Sequence, residues 1–135
     1  MANTITNTRQ IAGTKTIVQY ITIASDGSEE TDLVIYDSSA VATAVGIADP
    51  LDCTILSIYA TVSAAATARV ALEFDATTDI LALDVPPQTL VNRDFKDIGG
   101  LSNTAGSGIT GDILLTTTGL ESGDKITIIL VVRPN

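Results

Sequence analysis

The chain of 135 residues has no histidine, no tryptophan and one cysteine, and each shortage removes a class of function. Without histidine, the Ser-His-Asp and Cys-His arrangements that activate a nucleophile cannot be assembled, nor can zinc sites that use imidazole. The lone Cys53 excludes an internal disulfide and a cysteine-based metal site. It opens the apolar run after Asp52, so it reads as a small buried hydrophobe, with no base in the chain to activate it. Aromatic residues make up 4% of the chain, which leaves little for stacking platforms.

Cations are scarce as well. Seven Lys and Arg stand against sixteen Asp and Glu, for a formal net charge of −9. Displacing counterions from phosphate needs clustered cations, so nucleic acid is not an expected partner. An anionic membrane surface is disfavoured for the same reason. No apolar run approaches the roughly 18 residues of a membrane-spanning helix. Met1-Ala2-Asn3-Thr4 has neither the basic nor the apolar segment of a signal peptide. The expectation is a soluble chain that folds in a reducing compartment, its acidity serving solubility.

What is present is material for strands. Hydrophobic residues are 45% of the chain, mostly Val, Ile, Leu and Ala, joined by many threonines; β-branched side chains fit a pleated, half-buried surface. Residues 1–13 are polar and carry no hydrophobic period, and read as an N-terminal arm, disordered in the isolated monomer. Strands are expected at Thr16–Ile23, Thr31–Tyr36, Thr54–Val62, Thr67–Phe74, Ile80–Leu83, around Phe95 within Leu90–Ile98, at Asp112–Thr118 and at Lys125–Val132. Leu56, Ile58, Ala60 and Val62 share one face of the third. Ala68, Val70, Leu72 and Phe74 point inward from the fourth, with Arg69 and Glu73 outward. The short Ser63–Ala66 link between those two suits a hairpin. Ser38–Pro50 is a short helix or a packed loop, and Gly99–Gly108 is a loop. The last strand is apolar on both faces, as a central buried strand would be. The fold class is all-β: a single antiparallel β-sandwich domain, jelly-roll-like, over residues 14–135, behind the 1–13 arm.

Three patterns look like chemistry and read better as structure. Glu73 and Asp75 share a strand face with Asp79 nearby, and paired carboxylates can hydrolyse glycosides; without aromatic platforms, these read as solvated strand-end and turn groups. Gly106-Ser107-Gly108-Ile109-Thr110-Gly111 fits G-x-G-x-x-G, but dinucleotide binding needs a helix after it, and a strand follows. Asp26–Asp32 is acidic without the ligand spacing of a calcium loop. No catalytic, metal or cofactor residue is therefore assigned, and an enzyme is not expected.

Several phrases carry a family likeness: Phe74-Asp75-Ala76-Thr77-Thr78-Asp79; Gly99-Gly100-Leu101 with Asn103 and Ala105-Gly106; the run from Gly108 to Gly119; Ser122-Gly123-Asp124-Lys125-Ile126-Thr127-Ile128; and Asp26 to Val34. In these the chain resembles small virion structural proteins of tailed bacteriophages, of the capsid decoration or cement type, over about two thirds of its length. That group often has Trp where this chain has Phe74. The resemblance implies a protein made in the bacterial host cytoplasm and placed on the virion surface. It would bind the major capsid protein and stabilise the head, as a homo-oligomer, with a trimer matching the local threefold positions of the lattice. The expected contacts are Asn3, Thr4, Ile5, Thr6, Arg9 and Ile11 in the arm, and Leu101, Asn103 and Ser107 in the glycine-rich loop. A tail, neck or fibre-associated adaptor is the alternative within the virion. A carbohydrate-binding or hydrolytic β-sandwich is the alternative outside it.

Overall fold

The closing apolar run is the axis of the molecule. In the computed structural model, which describes residues 3–11, 16–48, 52–88 and 90–134, β10 (Ser122–Pro134) lies between β2 (Ile17–Asp26) and β4 (Cys53–Ser63), antiparallel to both. β1 (Thr4–Ile11) extends this sheet past β2. At the other side β7 (Leu90–Asp94) and the two-residue β8 (Leu101–Ser102) pair with successive stretches of β4. The second sheet has the order β3 (Leu33–Tyr36), β9 (Ile113–Thr118), β5 (Arg69–Phe74), β6 (Ile80–Val85), again antiparallel throughout. The pairs β2/β10, β3/β9, β4/β7 and β5/β6 nest like one long hairpin rolled over on itself. That is jelly-roll connectivity, and the all-β, antiparallel sandwich expected from the strand pattern is the fold observed.

Period-two alternation builds the core. Ile126, Ile128, Leu130 and Val132 of β10 meet Ile17, Ile21 and Ile23 of β2 and Ile58, Ala60 and Val62 of β4 on the inner face. Val70, Leu72, Phe74, Ile113 and Leu115 of the second sheet belong to the same buried cluster. Each fully buried aliphatic side chain contributes about 1.5–3 kcal/mol. Phe74 and Tyr36 are the aromatic members among the fully buried side chains; the rest is Ile, Leu, Val and Ala, as composition dictated. The stretch after β3 is a helix, α1 (Ser38–Val45). Asp37 caps it by accepting from the Ser39 and Ala40 N–H groups, and Gly46 ends it at φ 75°. The Ser39 hydrogen bonds hold the Asp37 carboxyl below its ordinary range.

The structure departs from the sequence reading at five places, besides the two-residue β8 that it sets inside the expected Gly99–Gly108 loop by pairing Leu101 and Ser102 with Ile55 and Thr54. The expected arm is a strand: Thr4–Ile11 pairs residue for residue with Ile17–Ala24 without a register break. It lacks an apolar row because it hangs at the sheet edge with all eight residues exposed, and backbone pairing and amide side chains hold it. Asn3 Oδ1 accepts from Asp26 N–H at 3.1 Å, and Asn3 Nδ2 donates to the Ser28 carbonyl at 3.1 Å. Asn7 Nδ2 donates to the Ile35 carbonyl at 3.1 Å, and the buried Gln19 donates to Asn7 Oδ1 and the Thr8 carbonyl. The arm's ends (1–2 and 12–13), the domain start at residue 14 and the end of the 38–50 stretch lie outside the described residues.

Second, Ser63–Ala66 is not a hairpin turn, because β4 and β5 belong to different sheets. Buried Ala64 and Ala68, with Ala68 N–H donating to the Ala65 carbonyl at 2.9 Å, let the chain cross the end of the sandwich. Third, Leu56 leaves the inner row. The register against β10 shifts where Val131 faces Ser57 and Val132 faces Ile55, so a bulge at Leu56 reverses the phase and Ile55 becomes the buried residue. Fourth, the Leu90–Ile98 strand stops at Asp94. Its carboxylate accepts from Lys96 N–H and a 3₁₀ turn follows at Lys96–Ile98. Fifth, β10 is central as expected but is buried on one face only. Thr127, Ile129 and Val131 lie half-buried on the outside.

Candidate docking face

Register aligns the outward side chains of the six-stranded sheet into cross-strand rows. One row runs Thr6, Thr22, Thr127, Thr61, Leu90 across β1, β2, β10, β4 and β7; the next runs Thr8, Tyr20, Ile129, Tyr59, Asn92; a third runs Gln10, Val18, Val131, Ser57, Asp94. Above them lie Thr4, Ala24, Lys125 and Ser63. Two positions of the whole array are charged, Lys125 and Asp94, both away from its centre. Tyr20 and Tyr59 are each 41% exposed and Leu90 is 55% exposed. A shallow depression of about 430 Å³ lies between Thr8, Arg9, Gln10, Val18, Tyr20 and Ile129.

An antiparallel sheet with one solvated face ordinarily alternates apolar-in, polar-out. Here the outward positions of the three central strands in the three rows named are Thr, Tyr, Ile, Val and Ser57, with no charge among them. The outer face of the four-stranded sheet behaves differently. Arg69, Glu73 and Asp84 point outward there, Arg69 and Asp84 forming an exposed ion pair at 2.9 Å, and Glu73 lies in the register row between exposed Val34 and Leu81. In a chain of net charge −9, the described acids lie mostly outside the strands; the six-stranded sheet carries Asp26, Asp94 and Asp124 near strand ends, and the four-stranded sheet carries Glu73 and Asp84. The middle of the six-stranded sheet's outer face has the charge-depleted, tyrosine-bearing character of an interface centre. Five strands about 4.8 Å apart and four rows about 6.7 Å apart give a backbone footprint of roughly 400 Å², half of what each partner contributes to a standard interface.

The expected contact residues fall in separate places. Thr4 and Thr6 are on this face. Ile5, Arg9 and Ile11 are exposed on the opposite side of β1, where the sheet overhangs its neighbour. Asn3 is spent on internal hydrogen bonds. Leu101 is half-buried against the core at the far side of the sheet, paired with Ile55. Asn103 donates to the Asp75 carbonyl and accepts from Ala105 N–H, while the Ser107 carbonyl accepts from Thr77 N–H. Thr110 donates to Asp75 Oδ2 at 2.7 Å, and Asp75 N–H to the Asp112 carbonyl at 3.1 Å. The phrases at 74–79 and 103–112 thus form one hydrogen-bonded corner. The G-x-G-x-x-G string belongs to that corner and leads into β9. Tyr20, Tyr59 and Ile129 went unselected, because their alignment depends on pairing register between segments far apart in sequence.

The carboxylates regroup too. Asp75 follows β5, where its carboxylate accepts from Thr110. Asp32, Glu73 and Asp79 instead bring carboxylate oxygens within 4.8 Å of one another, Asp32 coming from a segment distant from the other two. They supply three of the roughly six to eight oxygens that calcium takes. Asp32 already accepts from Thr116 and Asp79 from Ala76 N–H. In the Asp26–Asp32 turn the acids act as staples: Asp26 accepts from Ser28 N–H and Glu29 from Leu120 N–H.

Cys53 is 1% exposed. Burial, with Asp52 and Asp112 nearby, pushes its thiol up to about 12. At pH 8 the native protein is expected to leave iodoacetamide unreacted, and the urea-unfolded chain to take up one equivalent, read by intact mass. Complete labelling of the native form would place the thiol at the surface.

Comparison of the chain with protein-family models, with curated proteins and with solved structures finds no match.

Proposed function

We propose that the chain is a docking module without chemistry of its own, a virion structural protein of the capsid-decoration type that lays the outer face of its six-stranded sheet against the major capsid lattice. The observation that carries this reading is the Thr8–Tyr20–Ile129–Tyr59–Asn92 row and its neighbours, a charge-depleted array on an otherwise acidic protein. The resemblance to phage decoration proteins supports the choice of partner. The jelly roll, which recurs in viral capsid domains and also in lectins, supports it by analogy alone. Mechanistically, the rolled sandwich is a preformed body, so binding orders little chain and the ordering cost is small. A footprint of half the standard size makes one contact weak. Repetition over a lattice, through linked copies, supplies the rest by avidity.

Tyrosines at the centre of an interface are where truncation costs most, commonly 2 kcal/mol or more. Replacing Tyr20 and Tyr59 together with glutamate is expected to reduce occupancy on empty heads at least tenfold, read by sedimentation with the particles. The circular dichroism of the free protein should stay unchanged, since both side chains are exposed. Full occupancy by this variant would remove the face from the reading. Wild-type protein on tails and absent from heads would replace decoration with the adaptor role, and binding to a glycan array with no particle binding would replace both with sugar recognition.

A further inference from the structure

Four strand edges are open to solvent in a two-sheet sandwich, and in this one they are not equivalent. β3 has four residues and a register break between Val34 and Tyr36. β6 pairs through a register break and carries Asp84. β7 has five residues, carries Arg93 and Asp94, and follows Pro86 and Pro87. Short length, irregularity, charge and proline are the devices that keep sheet edges from pairing with other chains. β1 has none of them apart from Arg9. It offers eight residues in unbroken register with β2 and contains no proline, and its outer edge presents a row of backbone donors and acceptors.

We infer that the β1 edge is a self-association site, at which a second copy of this chain pairs β1 with β1 antiparallel about a twofold axis. A twofold axis normal to the sheet requires same-face residues to oppose each other, which leaves few registers. Centring on Arg9 sets two guanidinium groups against each other. Centring on Asn7 sets Ile5 against Arg9. Centring on Thr8 sets Ile5 against Ile11 of the other copy, twice over, and Asn7 against Arg9. Ile5 and Ile11 are 36% and 41% exposed on the overhanging side of β1, and this register covers both. It therefore satisfies backbone and apolar groups together.

The same register has a consequence for the outer face. Thr8 meets Thr8 of the second copy, so the Thr8–Tyr20–Ile129–Tyr59–Asn92 row continues across the axis into its own mirror sequence. Two six-stranded sheets become one twelve-stranded surface, and the neutral footprint doubles from roughly 400 to roughly 800 Å², the contribution of one partner to a standard interface. The pairing itself is a strand-edge contact at the small end of specific interfaces, between two chains of net charge −9. Its strength therefore rises with protein concentration and with salt, which screens the repulsion. The pairing stands whatever the outer face binds, and it is twofold where the lattice argument expects a trimer.

The test uses the full chain. Sedimentation velocity over a concentration series is expected to show the 14.0 kDa species giving way to twice that mass, more readily at high salt. Thr8→Lys, which sets two ammonium groups face to face on an exposed position, is expected to remain at monomer mass at every concentration with unchanged circular dichroism. Cross-linking fixes the register without relying on that variant. Position 8 lies beside its own copy, whereas the two copies of position 4 are about 26 Å apart at about 3.3 Å per residue. With Cys53 sealed in the core, a short bifunctional maleimide is expected to join Thr8→Cys at least tenfold more than Thr4→Cys. A wild type that stays monomeric, one that forms trimers, a Thr8→Lys variant that dimerises like wild type, or equal cross-linking at positions 4 and 8 would each overturn the assignment.

Discussion

Replacing Phe74 with aspartate is expected to leave no cooperatively folded protein. Phe74 closes the inward row of β5 at 2% exposure, opposite Ile113 of β9 and Ile80 of β6. Truncating a buried phenylalanine costs about 3–5 kcal/mol through lost burial and the cavity left behind. An ionised carboxylate in the same place adds several kcal/mol more, since it exchanges water for hydrocarbon. The charges adjoining it in the chain, Glu73 and Asp75, have the same sign as the new carboxylate. The total reaches the roughly 5–15 kcal/mol by which a domain of this kind is stable. Urea unfolding followed by circular dichroism checks this, with Phe74→Leu as the companion that keeps the row apolar, at a cost of about 1–2 kcal/mol. A soluble Phe74→Asp protein with a sharp unfolding transition would mean that the inner face of β5 is misassigned.

Two adjacent glycines are expected to respond very differently to alanine. Gly99 and Gly100 both sit at positive φ, 82° and 88°, where the 3₁₀ turn after β7 returns the chain to β4. Space around Gly99 is open. A Cβ on Gly100 would overlap Thr54 Cγ2 and stand 2.9 Å from the Ile55 carbonyl oxygen. Thr54 is buried, and Ile55 borders the bulge at Leu56, whose carbonyl accepts from Phe95 N–H at 2.8 Å, so neither neighbour is free to move aside. Gly99→Ala carries the conformational cost alone, about 1 kcal/mol. Gly100→Ala adds steric displacement of a strand, for about 3–4 kcal/mol in all. Urea midpoints at constant m-value separate the two variants, and equal shifts would show that the turn does not press on β4.

The reasons differ for what the sequence did and did not disclose. β5 was legible residue by residue, because Ala68, Val70, Leu72 and Phe74 alternate with Arg69 and Glu73, and that local pattern has one solution. β1 was not, since Thr4–Ile11 has no apolar row; its strand exists because β2 supplies eight backbone partners and Asn3 and Asn7 fasten it to segments more than 20 residues away. Leu56 was misplaced by a single-residue bulge, which reverses a period-two pattern without any local mark. The Ser63–Ala66 link was short enough for a hairpin, and only the partners of β4 and β5 place them in opposite sheets.

By itself the amino-acid sequence determined the class: an all-β chain with an aliphatic core, no imidazole chemistry and an acidic surface. Those properties follow from which side chains exist and how they alternate, and both are local. Tertiary structure alone decided where acid is absent, which edge is open and which carboxylates meet. Each of these is set by the register between strands dozens of residues apart, and a one-residue slip in any pairing would turn the Tyr20, Ile129 and Tyr59 row to the other face of its sheet.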